Sequence, residues 1–194
     1  MEPVTLTTER LLLRPLEPRD ADAVLAACQD PDVQRWTTVP SPYERRHAED
    51  FVHTISPAGW RADTLYTFGV FDPGGELVGS MGLVNTSRLR TERVAEIGYW
   101  TAPGQRGRGY TVEAARAVAD WAFGALGVER LEWFAGVGNE ASRSVALRVG
   151  FVMEGVQRAR MVHRGRRVDA WAASLLPSDW GRASATPYAP SDGG

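Results

Sequence analysis

The 194-residue chain contains no lysine, since all 22 of its Lys-plus-Arg positions are arginine. Without a lysine it cannot form the internal Schiff base of a pyridoxal enzyme. Nor can it supply the lysine that grips nucleotide phosphates in a P-loop. A single cysteine, Cys28, excludes an internal disulfide, and nothing asks for an oxidising compartment. No apolar run approaches the roughly 18–20 residues that span a bilayer. The opening Met1-Glu2-Pro3-Val4-Thr5 has neither the basic nor the apolar segment of a secretory signal. The cytoplasm is therefore the expected location, with no membrane partner. The formal net charge of −2 gives the whole molecule no attractive field for nucleic acid. Any anion site must be local.

What is present reads as one folded unit. The hydrophobic share of 43% and charged share of 24% are close to globular averages, enough to bury a core. Residues 181–194 (GRASATPYAPSDGG) are small and polar with two prolines and read as a disordered tail behind a domain of residues 1–180. A short apolar run over residues 10–16 is followed by a helix opened by Pro18-Arg19-Asp20 and running to about Gln29. Ser41-Pro42-Tyr43-Glu44 has the form of a capping box with proline first, which predicts a helix to about Thr54. Strands are predicted over residues 65–71 and 76–84, joined by the turn Asp72-Pro73-Gly74-Gly75, and over 93–101. A helix over 110–126 carries Val112, Ala115, Ala119, Ala122 and Phe123 on one stripe and stops at Gly127. A strand over 131–137, a helix capped by Asn139 to about Val149, and a hairpin over 151–162 and 167–175 complete the order β-α-α-β-β-β-α-β-α-β-β. The pattern is a mixed α+β sheet rather than a regular βαβ repeat.

The informative stretch is Glu96-Ile97-Gly98-Tyr99-Trp100-Thr101-Ala102-Pro103-Gly104-Gln105-Arg106-Gly107-Arg108-Gly109-Tyr110-Thr111. A strand leads through a Gly/Arg loop into a helix amino terminus. Such a loop aims several N–H groups at an anion, and the helix end adds about half a positive charge. Arg106 and Arg108 add mobile cations. The dinucleotide fingerprint fails because Val112 stands where its third glycine belongs.

Arg106-x-x-Gly109-x-Thr111 resembles the pyrophosphate loop of the GNAT acetyltransferase superfamily, Gln/Arg-x-x-Gly-x-Gly/Ala. The resemblance extends through Thr8-Glu9-Arg10-Leu11-Leu12-Leu13-Arg14-Pro15-Leu16, Gly109-Tyr110-Thr111-Val112-Glu113-Ala114, Asn139-Glu140-Ala141-Ser142 and Val149-Gly150-Phe151-Val152-Met153-Glu154-Gly155, which look like its RimJ/RimL-type branch. It covers roughly residues 6–176 in order. It implies a mostly antiparallel central sheet of about seven strands and about four helices, with two strands splayed around acetyl-CoA. Trp100 and Thr101 would pair with the pantetheine amides. Arg106, Gly107, Arg108, Gly109, Tyr110 and Thr111 would hold the diphosphate, and Asn139 would reach the pantetheine arm. Thr111 departs from the family's Gly or Ala. Its Cβ could crowd the diphosphate, or its hydroxyl could donate to it. Asn139 could equally be a plain helix cap.

The chemistry implied is acetyl transfer to a primary amine, possible acceptors being a protein amino terminus or a small-molecule amine. An amine is mostly protonated at neutral pH, with pKa about 8 for an α-amine, so attack needs a proton acceptor. Glu96 is the candidate base; alternation places it with Val94, Gly98 and Trp100, where partial desolvation raises a carboxylate's pKa. The competing reading is an ion pair with one of the arginines. Many members of the family carry a tyrosine seven residues after the asparagine as the acid for the departing thiolate; here that position is Ala146. Ser142, where RimL-like members carry a serine proposed for that role, is the expected thiolate stabiliser, against the plain reading of a helix-start serine. A non-catalytic acyl-CoA-binding module is the alternative that Ala146 leaves open.

His47, His53 and His163 are too scattered, and Cys28 too isolated, for a metal site. Val78-Gly79-Ser80-Met81-Gly82 lacks the first glycine of a nucleophile elbow. Arg158, Arg160, Arg164, Arg166 and Arg167 read first as solvated charge and second as an attraction for an acidic acceptor or RNA. Trp36 and Trp60 lie where the family shapes its acceptor pocket, though core packing or a contact in a homodimer is the plainer reading of each.

Overall fold

The structure is a computed structural model that describes residues 1–191; residues 192–194 of the expected tail lie outside the described residues. Its strands are β1 (Leu6–Thr7), β2 (Leu12–Arg14), β3 (Tyr66–Phe71), β4 (Leu77–Asn85), β5 (Val94–Thr101), β6 (Arg130–Gly136), β7 (Val152–His163) and β8 (Arg166–Leu175). They form one eight-stranded sheet in the order β1-β2-β3-β4-β5-β6-β8-β7. Every neighbouring pair is antiparallel except β5 and β6, which run parallel. A parallel pair needs a crossover connection, and helix α6 (Tyr110–Ala125) supplies it. Helix α7 (Glu140–Val149) follows β6. The sheet and the α6 and α7 positions agree with the expected α+β architecture.

Helix α6 buries Val112, Ala115, Val118, Ala119, Ala122 and Phe123 against the sheet. Its many alanines let the helix lie close. Below it an aromatic cluster fills the core: Trp60 meets Tyr66 at 5.0 Å and Phe68 at 5.2 Å between ring centroids, and Trp121 stands edge-on to Tyr66 and Phe68. Such tilted and edge-to-face pairs add roughly 0.5–1.5 kcal/mol each beyond area burial. A second core of Leu16, Val24, Cys28, Val33, Tyr43, Val52 and Phe71 lies under the amino-terminal helices.

Those helices are where the sequence reading departs from the structure. Helix α1 (Ala21–Cys28) is close to expectation, but α2 (Pro31–Trp36) was not foreseen. The Asp30 carboxylate caps it, accepting from the N–H groups of Asp32 at 3.1 Å and Val33 at 3.0 Å. The expected capping box at Ser41 is not used: Ser41–Pro42 is a cis peptide, and α3 (Arg45–Asp50) starts after Glu44, whose N–H donates to His47 Nδ1 at 3.0 Å. The helix then continues past Thr54, through a π-helical turn (Phe51–Ile55) into α4 (Ser56–Ala62). The polar loop before β5 contains the short α5 (Leu89–Glu92). Contacts with the domain continue beyond Gly181: Arg182 pairs with Asp120 at 2.6 Å, and the Ala185 N–H donates to Glu129 at 3.0 Å.

Candidate active site

The parallel seam between β5 and β6 is short. Val94 pairs with Arg130, Ala95 with Leu131 and Glu96 with Glu132, and there the pairing ends. On its other edge β5 remains paired with β4 as far as Thr101 opposite Gly79. Beyond Glu96 the strands part, so alternate N–H and C=O groups of residues 97–101 face a gap without a strand partner. Trp100 and Thr101 lie at its outer end, each half-buried.

The loop after β5 borders that end. Gly107 has φ +76° and Gly109 φ +78°, a left-handed conformation that side chains resist; Gly109 is the N-cap of α6. The first intrahelical bond runs from the Glu113 N–H to the Gly109 carbonyl at 3.1 Å, and no side chain caps the helix. The N–H groups of Tyr110, Thr111 and Val112 therefore point outward from the positive end of a 16-residue helix. A side chain at Gly107 would meet nothing within 4 Å, so the loop is open to a ligand. The guanidinium groups of Arg10 and Arg148 stand 3.7 and 4.0 Å from where a Gly109 Cβ would lie. Arg108 makes no ion pair among the described residues, and its carbonyl accepts from Arg10 at 3.2 Å. These features suit a diphosphate.

Comparison with known proteins bears on the same elements. The sequence matches the acetyltransferase (GNAT) domain family over residues 10–152. It is 33% identical to a Bacillus subtilis protein named "Putative ribosomal N-acetyltransferase YdaF" across 89% of this chain and 94% of that one. A GCN5-related N-acetyltransferase from Brucella melitensis superposes with a TM-score of 0.78 at 28% identity, over 93% of this chain and 82% of that one. Mycobacterium smegmatis RimJ, solved with CoA-disulfide, shares the fold with a TM-score of 0.80 at 24% identity, over 94% and 93% of the two chains. The chain belongs to the GNAT acetyltransferase family. It is an N-acetyltransferase, and acetyl-CoA is its acetyl donor.

Within that frame the individual side chains take specific positions. Glu96 sits at the last paired position of the seam, partly buried. Burial pushes its carboxyl above the ordinary glutamate range and the neighbouring Glu132 adds to the shift, while Arg160 and Asn85 pull it down. Among the described residues it forms no ion pair, so the competing reading is met only by the more distant charge of Arg160. Glu132 is different: Arg88 holds it at 3.2 Å and Arg130 at 3.0 Å.

Ser142 and Asn139 lie at the start of α7. The Asn139 side chain accepts from the Ser142 N–H at 3.2 Å, so it caps the helix. The Ser142 hydroxyl lies between the two parted strands. It accepts from Trp133 Nε1 of β6 at 3.2 Å and donates to the Tyr99 hydroxyl of β5 at 3.1 Å. Tyr99 in turn donates to the Ser142 carbonyl at 3.0 Å. Tyr99 is deeply enclosed, and burial pushes its pKa up to about 12, which keeps it a neutral phenol. The sequence reading missed Tyr99; alternation through Ala95 and Ile97 was the signal that turns it to the core face.

The loop residues divide. Arg106 is not the free cation expected of it, because Asp30 of α2 holds it at 2.5 Å and Asp32 stands at 3.7 Å. Thr111 turns its hydroxyl to Thr101, 2.7 Å away, tying the end of β5 to the start of α6. Tyr110 packs under the Arg10 guanidinium, 4.8 Å from its ring centroid. Trp60 is core, 1% exposed, with its Nε1 donating to the Thr67 carbonyl at 3.0 Å. Trp36 instead lies half-buried over the end of β6, where a side chain at Gly138 would meet it at 3.5 Å.

Proposed function

We propose that the chain transfers acetyl to a primary amine by direct attack within a ternary complex, with a protein amino terminus as the acceptor. One observation carries this reading: the strands part immediately after Glu96, which puts an unpaired, partly desolvated carboxylate at the closed end of the gap and the glycine loop at its open end. Bound acetyl-CoA supplies an acetyl thioester. Residues 107–111, with Arg108, Arg10 and Arg148, would hold its phosphates, and the free edge of β5 near Trp100 and Thr101 its amide-bearing arm.

Glu96 accepts the ammonium proton, directly or through a water, so that the nitrogen lone pair can form the new N–C bond as the C–S bond breaks. A positioned base of this kind is worth about 10²–10⁴ in rate. The departing sulfur takes the electron pair of the C–S bond, and the second proton that the nitrogen sheds on becoming an amide passes to it, directly or through water, so that CoA leaves as a thiol. A serine or a phenol with pKa near 12 is too weak an acid to surrender its proton to a thiolate at neutral pH. To serve the developing thiolate, Ser142 or Tyr99 therefore turns its hydroxyl hydrogen away from its present partner, acting as a hydrogen-bond donor rather than as an acid. A hydroxyl pair in the gap thus occupies the functional place that Ala146 leaves empty, which favours an enzyme over a passive acyl-CoA-binding module. Acetyl-CoA as donor suits the cytoplasm.

The names of ribosomal acetyltransferases among relatives and structural neighbours support an amino-terminal acceptor. The test is thiol release from acetyl-CoA against amino-terminal peptides and small amines. Turnover with peptides is expected. Binding of CoA without turnover on any acceptor refutes the catalytic reading, and turnover on small amines alone refutes the peptide acceptor.

A further inference from the structure

The face of the sheet that carries Glu96 continues across β6. Registered residues of parallel strands share a face, so Glu132 lies beside Glu96, and Phe134, two residues on, shares that face about 7 Å further along the strand. The Arg160 guanidinium from β7 is stacked on the Phe134 ring, 4.4 Å from its centroid. A local bulge puts it there: the β7–β8 register shifts between Gln157 and Met161, and Ala159 has φ +53°.

Arg160 is exposed and forms no ion pair among the described residues. Of the acids nearby, Glu96 feels its charge without forming an ion pair with it, and the others are engaged. Glu132 is held by Arg88 and Arg130, and Asp169 accepts from the Ala159 N–H at 2.8 Å. Across the opening stands α2, tied to the β7–β8 hairpin by Arg164, which donates to the Gln34 carbonyl at 2.5 Å. Trp36 covers the end of β6 there, and Arg35 stacks on it at 4.7 Å from the ring centroid. Arg35 too has no acidic partner among the described residues. The cleft over Glu96 therefore has an anionic floor and two aromatic-backed cations at its rim.

Guanidinium groups held flat on aromatic rings keep their forked donors free for a carboxylate. Resting on the amine-acetylation reading above, we propose that Arg160, with Arg35 opposite, is a specificity determinant that selects acceptors bearing a carboxylate a few ångströms beyond the amine. The amine goes to Glu96 and the carboxylate to Arg160. The span of one residue, roughly 3.3 Å of chain per step, lets an acidic side chain at the second or third position of a peptide reach the rim.

The experiment compares peptides identical except for Asp, Asn or Lys at the second position, with free aspartate and glutamate as small acceptors. Wild-type protein and Arg160→Gln are measured at two salt concentrations. A rim charge pair of about one tenfold step is expected, so the Asp peptide should exceed the Asn peptide by roughly tenfold in kcat/KM, chiefly through KM. Lys should be poorest, added salt should shrink the preference, and Arg160→Gln should bring Asp and Asn together. A thermal melt confirms that this surface variant is folded. Equal use of Asp, Asn and Lys peptides by the wild type overturns the proposal while leaving the transferase reading intact. A preference that survives Arg160→Gln undiminished overturns the assignment to Arg160. Efficient use of free acidic amino acids in place of peptides keeps the carboxylate selection and assigns it to a small acceptor. No turnover with any acceptor removes the transferase reading and this proposal together.

Discussion

Replacing Glu96 by glutamine removes a proton acceptor while preserving volume and shape at the end of the β5–β6 seam. If Glu96 is the base, kcat/KM should fall by about 10²–10⁴, equivalent to roughly 2.7–5.5 kcal/mol of barrier. The pH dependence follows from the direction of its shift. Burial and Glu132 hold the folded pKa above the ordinary glutamate range, and only the carboxylate form accepts a proton. Wild-type activity should therefore rise with pH through that elevated pKa, and the variant should lose this acid limb and keep only the acceptor amine's own titration. Stability moves the other way. A carboxyl whose pKa is raised by folding contributes stability below its unfolded pKa, and that contribution is lost as pH rises through the folded pKa. At neutral pH the wild type bears the cost of a buried charge, so Glu96→Gln should melt at an equal or higher temperature. Its CoA affinity, set by the loop some five strand positions away, should stay within about twofold by calorimetry, far less than the tenfold that 1.4 kcal/mol gives. Steady-state rates from pH 5 to 9, melting curves and titrations read all three. A kcat/KM within about threefold of wild type, with the acid limb retained, refutes Glu96 as the base, since a working base contributes at least about a hundredfold. A lost rate with a lowered melting temperature and weakened CoA binding assigns it to structure instead.

Ser142→Ala leaves the Trp133 Nε1 donor and the Tyr99 hydroxyl short of a partner; a stability loss of about 1–3 kcal/mol and a lower kcat are expected, and an unchanged kcat removes Ser142 from the chemistry. Gly109→Ala forces a side chain into φ +78°, which should cost roughly 1–2 kcal/mol and weaken CoA binding in calorimetry; unchanged affinity shows that the loop does not hold the diphosphate. Trp60→Ala empties the centre of the aromatic cluster and should cost about 3–5 kcal/mol in denaturant unfolding, with a loss below about 1 kcal/mol contradicting its core placement.

Elements whose residues obey one period were legible before any coordinates. The α6 stripe through Val112, Ala115, Ala119 and Ala122, the alternation of β6 and the Asp72–Gly75 turn all needed only local information. The amino-terminal helices were harder because two local signals competed. Asp30-Pro31-Asp32 carried a cap and a first-turn proline that the reading passed over, whereas Ser41-Pro42 carried the same signature and starts no helix. Capping chemistry favours a helix end but does not decide which of two similar tripeptides is one. Packing into the core of Val24, Val33, Tyr43 and Val52 decides it.

The site divides along the same line. Its loop and its glutamate could be read locally, but its contacts could not. Tyr99 and Ser142 are 43 residues apart, and Arg106 meets an acid 76 residues away. No spacing encodes such pairs; they arise from where β5 and β6 separate. That separation also explains how adjacent carboxylates come to differ. Glu132 is reached by Arg88 from α5's flank and by Arg130 of its own strand, and Arg130 goes on to Glu154 at 2.7 Å. Arg88 and Arg130 are consumed there, and Arg160 acts on Glu96 only at a distance, without an ion pair. Glu132 is thus fixed in place by two guanidinium groups. Glu96 beside it, partly buried and without an ion pair, has its pKa raised and so is the better placed to accept a proton. In a chain with 22 arginines, the glutamate at the closed end of the gap stays without an ion pair while its neighbour is paired twice.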